Sequence, residues 1–362
     1  MSCLGISIYP EHSTPEKDKE YISLAAKYGF SRIFTCLLSV TKPAAEIKAE
    51  FKDVIEHANR LGFEVIVDVA PRVFKDLGIT YDDLSFFSEI GAAGIRLDEG
   101  FNGSVEAMMT FNPAGLLIEV NASNPGMYLN NIFSYEPDKS KLIACHNFYP
   151  QKYSGLGFDL FYKCSKNLKD LGMRVAAFVS SQTEGTYGPW PVNEGLCTLE
   201  MHRELPIDAQ ARHLFATGVV DDVIIANAYA SEEEMAALAK VQPAKLTFGI
   251  ELEITDLSDV EQEILYDFNH FVRGDLSDYM ARSTMPRVIY KEASIPARNT
   301  RDLHRGDIIM VNEDYGQYKG EVHIVLQDMP NDGRKNVIGH IPIYEHVLLD
   351  YVTPWKKFSF MK

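Results

Sequence analysis

The chain has 362 residues, 46% hydrophobic, 11% aromatic and 24% charged. That suits one large domain plus a smaller one with a core of ordinary size, and it excludes disordered, collagenous and coiled-coil classes. Against 35 basic residues stand 51 acidic ones, a formal charge of −16, which argues against sequence-independent nucleic-acid binding and against docking on anionic lipid, both of which depend on basic surface.

The N-terminal MSCLGISIYPEH has no basic start and no long apolar stretch. It reads as a strand, not a signal peptide, and no run in the chain approaches bilayer length. Five cysteines (Cys3, Cys36, Cys145, Cys164 and Cys197) without a CxxC pair suggest a reducing compartment. A cytoplasmic protein is therefore expected.

Short apolar runs then recur as strand candidates: Cys3–Ile8, Arg32–Cys36, Glu64–Val69, Gly94–Leu97, Leu116–Val120, Leu142–Cys145, Arg174–Val179 and Asp222–Ala226. Being apolar nearly throughout, they suit parallel strands covered by helices. Helix punctuation lies between them. Ser13, Thr14 and Pro15 open the first helix and Gly29 follows it. The second is expected from about Pro43 to Arg60, with Phe51, Val54, Ile55 and Ala58 at helical spacing. Ser231 and Glu234 form a capping-box pattern before the last. Strand then helix, eight times over, predicts an α/β fold of the TIM (β/α)8 barrel type; a doubly wound open sheet is the alternative, because strand count does not prove closure.

The pattern changes near Gln242-Pro243. Strand-like runs follow at Lys245–Glu253, Arg287–Tyr290, Asp307–Val311, Glu321–Leu326 and Val337–Ile341, with a turn signal at Asn331-Asp332-Gly333. Residues 1–241 are read as the barrel and 242–362 as a small all-β domain. The long connection between Val179 and the helix near Ile207–Phe215 is expected to serve a site or lid.

Barrel catalytic residues lie at the C-terminal ends of strands. Those ends carry Glu11, Asp68, Asp98, Glu119 and Asn121, then His146, Asn147 and Tyr149, then Ser180, Ser181 and Gln182, and lastly Asn227. No GxGxxG, Walker or HExxH pattern occurs, and no cofactor is expected. A cluster of Glu, Asp and His could hold a divalent metal, but the spacing diagnostic of a zinc site is missing, so no metal is expected either. Converging carboxylates with aromatic platforms suit glycoside hydrolysis, in which one carboxyl is protonated and another ionised. Glu119 stands out as a charge inside an apolar strand. Asp98 and Glu99 must point to opposite sides, and Asp98 is taken as the inward one. Asp68 could instead bond backbone amides, and His146 is either a substrate contact or a bonded structural histidine.

LGISIYPEH, RIFTCLL, VDVAP, GIRLDEGF, IEVNASN, HNFYP, YGPWPVNEGLCTLEMHR and RSTMPR, in that order, resemble the cytoplasmic 6-phospho-N-acetylmuramidases of Gram-positive bacteria over essentially the full length. The resemblance implies a TIM barrel followed by a cyclophilin-like β-barrel. It implies cleavage of N-acetylmuramic acid 6-phosphate from β-1,4-linked N-acetylglucosamine during cell-wall sugar recycling. The implied partner is a phosphorylated amino-sugar disaccharide; oligomeric state is left open. On this basis Glu119 is the expected general acid, and Asp98 the residue that orients the 2-acetamido group or attacks directly. Expected substrate contacts are Glu11, Asp68, Asn121, His146, Asn147, Tyr149, Ser180 and Asn227. Arg282 of RSTMPR, beside Arg287, is an expected phosphate donor, with salt bridging inside the β-domain as the alternative. The rival functions are a barrel lyase or epimerase acting on a sugar phosphate, and a non-catalytic carbohydrate-binding protein.

Overall fold

The computed structural model describes residues 2–37 and 44–362. The chain divides into two compact units, Met1–Lys240 and Val241–Lys362. In the first, the strands are β1 (Cys3–Ile8), β2 (Arg32–Cys36), β3 (Glu64–Val69), β4 (Gly94–Leu97), β5 (Leu117–Asn121), β6 (Leu142–Cys145), β7 (Val175–Val179) and β8 (Asp222–Ile225). They pair in parallel in chain order, and β1 also pairs with β8, so the sheet closes into an eight-stranded barrel.

The helices between them start and stop where local chemistry directs. In α1 (Pro15–Lys27) the Thr14 side chain accepts from Lys17 N, and Pro15 supplies a pre-set first turn. In α2 (Ala44–Arg60) the residues Ile47, Phe51, Val54, Ile55 and Ala58 are buried on one face; the expected start at Pro43 lies outside the described residues. Next come α3 (Pro71–Leu77), α4 (Ser85–Glu89), α5 (Ser104–Met109), α6 (Tyr128–Ser134), α7 (Phe158–Asp170), α8 (Ile207–Ala216) and α9 (Glu232–Ala239). The capping box of Ser231 and Glu234 is present at the start of α9. Among the described residues no helix is long and apolar enough to cross a membrane.

The barrel interior is layered. Toward the C-terminal ends of the strands, Phe34, Cys36, Cys145, Ala176, Phe178, Ile224 and Ala226 form an apolar cluster. Alternation along β2 puts Arg32 on the same face as Phe34 and Cys36, one layer lower. There its guanidinium pairs with Glu119 and with Asp222. Arg174 continues the chain of charges, 2.6 Å from Asp222 and 2.8 Å from Glu64. Gly5 faces Arg32 on β1, where a Cβ would come within 3.2 Å of Arg32 Cβ; glycine leaves room for the arginine stem.

The second unit holds a five-stranded sheet and a three-stranded sheet. The larger joins β10 (Glu251–Leu252), β15 (Lys335–His340), β13 (Asp307–Val311), β14 (Val322–Val325) and β12 (Met280–Ser283). The smaller joins β11 (His270–Phe271), β16 (Lys357–Phe360) and β9 (Leu246–Phe248). One expectation is corrected here. Arg287–Tyr290 is not a strand, because Pro286 opens a helical turn over Pro286–Ile289 and favours the first turn of a helix over a ladder position. The turn at Asn331-Asp332-Gly333 is present, with Gly333 in the left-handed region at φ 83° and its N–H donated to Asn331 Oδ1.

Candidate active site

A cleft of about 110 Å3 is lined by Asp68, Arg96, Asp98 and Asn147 and walled by Phe34, Phe148, Phe178 and Trp190. Asp68 belongs to β3 and Arg96 to β4, where they are register partners. Alternation puts Arg96 and Asp98 on one side of the chain and leaves Glu99 exposed. Asn147 follows β6, and Trp190 comes from the long connection after β7. Three rings pack edge to face behind the polar group, Phe34 and Phe148 each 5.1 Å from Phe178.

Arg96 organises the polar floor. Its Nη1 donates to Asp68 Oδ1 at 2.6 Å and to Asp98 Oδ1 at 3.3 Å, and its Nη2 donates to Asn147 Oδ1. The guanidinium is buried, and the adjoining carboxylates hold it charged against the cost of burial. Burial pushes the Asp68 carboxyl up to about 7, with Arg96 pulling the other way. Asp98 is more open, its side chain 36% exposed. The cleft therefore holds one carboxyl that is half-protonated near neutrality and one that faces water. Both lie within hydrogen-bond reach of a single nitrogen.

Several expected site residues lie elsewhere. Glu119 is 0% exposed and is held by Arg32 in the layer below the cleft. Its Oε2 is buried with no hydrogen-bond partner among the described residues, and in this structure Glu119 does not line the cleft. His146 is also fully buried. Its Nδ1 lies 3.2 Å from Ser123 Oγ and its Nε2 2.8 Å from Ser165 Oγ, and burial lowers the imidazole to about 3. These contacts are those of a neutral, bonded core imidazole.

Ser180 and Asn227, expected substrate contacts after β7 and β8, bond to each other and to neighbouring backbone. Ser180 Oγ is spent on Asn227 Oδ1 at 3.2 Å and on Leu196 N at 2.9 Å. Asn227 is buried, and its Oδ1 also accepts from Ser181 N. Glu234 takes Gln182 N at 2.7 Å and Thr183 Oγ1 at 2.9 Å, and also binds Ser181 Oγ. Glu234 thus takes up several donors of this loop, while Lys152, Ser181, Gln182, Arg203 and Asn227 line an open cleft of about 340 Å3 beside it.

Of the remainder, Asn147 lines the cleft. Tyr149 is half-buried with its hydroxyl near Ser123 and Asn147. Asn121 closes a turn by accepting from Ser123 N, and Glu11 sits half-buried in the 3-10 turn after β1. Arg282 stands in the second unit on β12, 3.5 Å from Asp275, while Arg287 pairs with Glu321 at 2.6 Å. Arg96 and Arg32 are the residues that reading the strand ends passed over. The available signal was an arginine inside an otherwise apolar strand, two positions before Asp98 in one case and at the head of RIFTC in the other.

A family model described as 6-phospho-N-acetylmuramidase, N-terminal, matches residues 4–240, and its C-terminal counterpart matches residues 246–361. A crystal structure of a B. cereus protein is 51% identical with a TM-score of 0.92, covering 100% of this chain and 99% of its own. A second, from an Enterococcus faecalis locus, is 27% identical with a TM-score of 0.75, covering 100% and 96%. No curated protein matches.

Proposed function

The chain belongs to the 6-phospho-N-acetylmuramidase family, whose two models span nearly all of it, and from that premise we propose that it hydrolyses the β-1,4 bond between N-acetylmuramic acid 6-phosphate and N-acetylglucosamine, with Asp68 and Asp98 as the acting pair. The observation that carries the reading is the single Arg96 nitrogen shared by both carboxyls within the cleft. Their oxygens are closer together than the sum of those two bonds, short of the gap of about 6.5–9.5 Å that leaves room for an inverting water. That leaves no room for a water held between them, and retention follows instead from attack by the substrate's own acetamido group.

Asp68 is the general acid. Burial keeps a large share of it protonated near neutrality, so it can give its proton to the glycosidic oxygen as that bond breaks. The acetamido carbonyl oxygen attacks C1 from the opposite face, and Asp98 accepts the acetamido N–H and steadies the positive charge. Water then attacks C1, the ionised Asp68 takes its proton, and the acetamido group is restored. Protonation of Asp68 has a second effect. Next to Arg96 it leaves the floor near neutral, which eases approach of a substrate carrying a phosphate and a lactyl carboxylate. Peptidoglycan-sugar recycling in the cytoplasm is the setting that fits this substrate.

The test is turnover of a chromogenic N-acetylmuramic acid 6-phosphate glycoside beside its unphosphorylated twin. Release from the phosphorylated compound alone is the expected result. No release from either, or equal release from both, overturns the reading.

A further inference from the structure

A second cleft, of about 540 Å3, lies on the other side of the long connection after β7. Its volume is in the range of small-molecule sites. Four rings follow one another along it. His12 and Tyr187 are 6.2 Å apart, Tyr187 and Tyr229 5.8 Å, and Tyr229 and Tyr21 5.0 Å. Ser13, Lys17 and Glu20 supply polar groups along the same cleft. Neither Lys17 nor Glu20 is tied into an ion pair among the described residues.

The tyrosine wall is built, not incidental. Tyr229 holds a left-handed backbone at φ 65°, a conformation that costs free energy for a bulky residue. Its hydroxyl is fixed by Ser13 and by Asp18 Oδ1, the latter at 2.7 Å. Asp18 is buried, and its other oxygen has no hydrogen-bond partner among the described residues. Tyr187 is fixed by its hydroxyl, which donates to His12 O at 3.0 Å, and by a bridge to Ala228. His12 Nε2 lies 3.2 Å from Pro189 O, and Pro189 lines the reaction cleft. One loop therefore separates the two clefts.

We propose that this second cleft binds a neutral N-acetylglucosamine oligosaccharide, apart from the site of cleavage; the carbohydrate class rests on the function proposed above. The partly exposed rings of His12, Tyr187 and Tyr229 beside the polar groups of Ser13, Lys17 and Glu20 match a pyranose, whose ring faces are apolar and whose edge is polar. One ammonium and one carboxylate on the cleft balance, which selects a neutral sugar over the phosphorylated one.

The experiment is calorimetric titration of the full chain with N,N′-diacetylchitobiose. Binding is expected in the parent and, within about twofold, in Asp98→Asn, which alters only the reaction cleft. Tyr187→Ala is expected to weaken it by about tenfold or more, on the scale of one lost aromatic contact. Leu24→Trp fills the cleft without removing any loop anchor and is expected to do the same. No binding to the parent overturns the proposal. So does binding that persists in both cleft variants, or that disappears in Asp98→Asn. Turnover of the phosphorylated glycoside, measured on the same preparations, reports on the reaction cleft separately: its absence refutes the proposed activity while the titration still reads the second cleft.

Discussion

Arg32 of β2 reaches across the barrel interior to Glu119 of β5, 87 positions away in the chain and three strands around the barrel. Both side chains are removed from water. Burial works against the charge on Arg32, and Glu119 and Asp222 restore it. Such a pair adds little net stability over an apolar one, yet removing one partner strands the other charge.

Glu119→Gln is accordingly expected to cost about 3–5 kcal/mol of unfolding free energy, read from urea denaturation midpoints. Turnover of the phosphorylated glycoside, measured well below the melting temperature, should fall by less than about tenfold. A variant with parental stability and no turnover would return the acid role to Glu119.

Asp68→Asn removes the proposed proton donor and should lower kcat/KM by about 10²–10⁴-fold. The parent should lose activity as pH rises through about 7, because only the protonated carboxyl donates and that is where Asp68 ionises. The same alkaline limb should be missing from whatever activity Asp68→Asn retains. A limb that persists unchanged in the variant would point to another group.

Arg96→Gln tests the shared guanidinium. Arg96 draws the Asp68 carboxyl downward, so its loss should raise the alkaline limb by about 1–3 pH units. Both carboxyls and Asn147 also lose their common anchor, and kcat should fall more than KM changes. A fall in kcat with the limb unmoved would reduce Arg96 to packing alone.

His146 provides a test by stability. Folded, it is held neutral down to about pH 3 by burial; unfolded, it takes a proton near its ordinary value of about 6.5. Between those values the unfolded chain binds more protons, so this residue's contribution is intact above about 6.5 and drains away as pH falls, at about 1.4 kcal/mol per pH unit. His146→Asn should flatten the acid slope of denaturation midpoints between about pH 6.5 and 4 and leave the pH profile of turnover in place. An unchanged slope would mean that the imidazole is protonated in the fold.

Local signals in the chain were sufficient for most of the barrel. Thr14-Pro15 and Ser231 with Glu234 mark helix starts because caps satisfy backbone groups within four residues. The strands fall within a residue or two of the apolar runs, since burial on both faces leaves a continuous apolar trace. Pro286 was the local signal against a strand at Arg287–Tyr290. The site was less legible. Arg96 and Asp98 share a face by alternation alone, but their meeting with Asp68 and Asn147 needs strands β3, β4 and β6 side by side.

What the sequence by itself determined is the order of elements, the acidic balance and the set of polar groups carried to the strand ends, all of which depend on neighbours within a few residues. Only the tertiary structure decided which of those groups are sealed and which are open. Glu119 and Asp68 look alike in sequence, each an acid within an apolar strand. Closure of the barrel places one against Arg32 in the dry layer and the other in the cleft with Arg96. Both acids are buried; the difference is the distant arginine each meets and the small part of Asp68 that the cleft reaches, and neither is encoded within the strand that carries the acid.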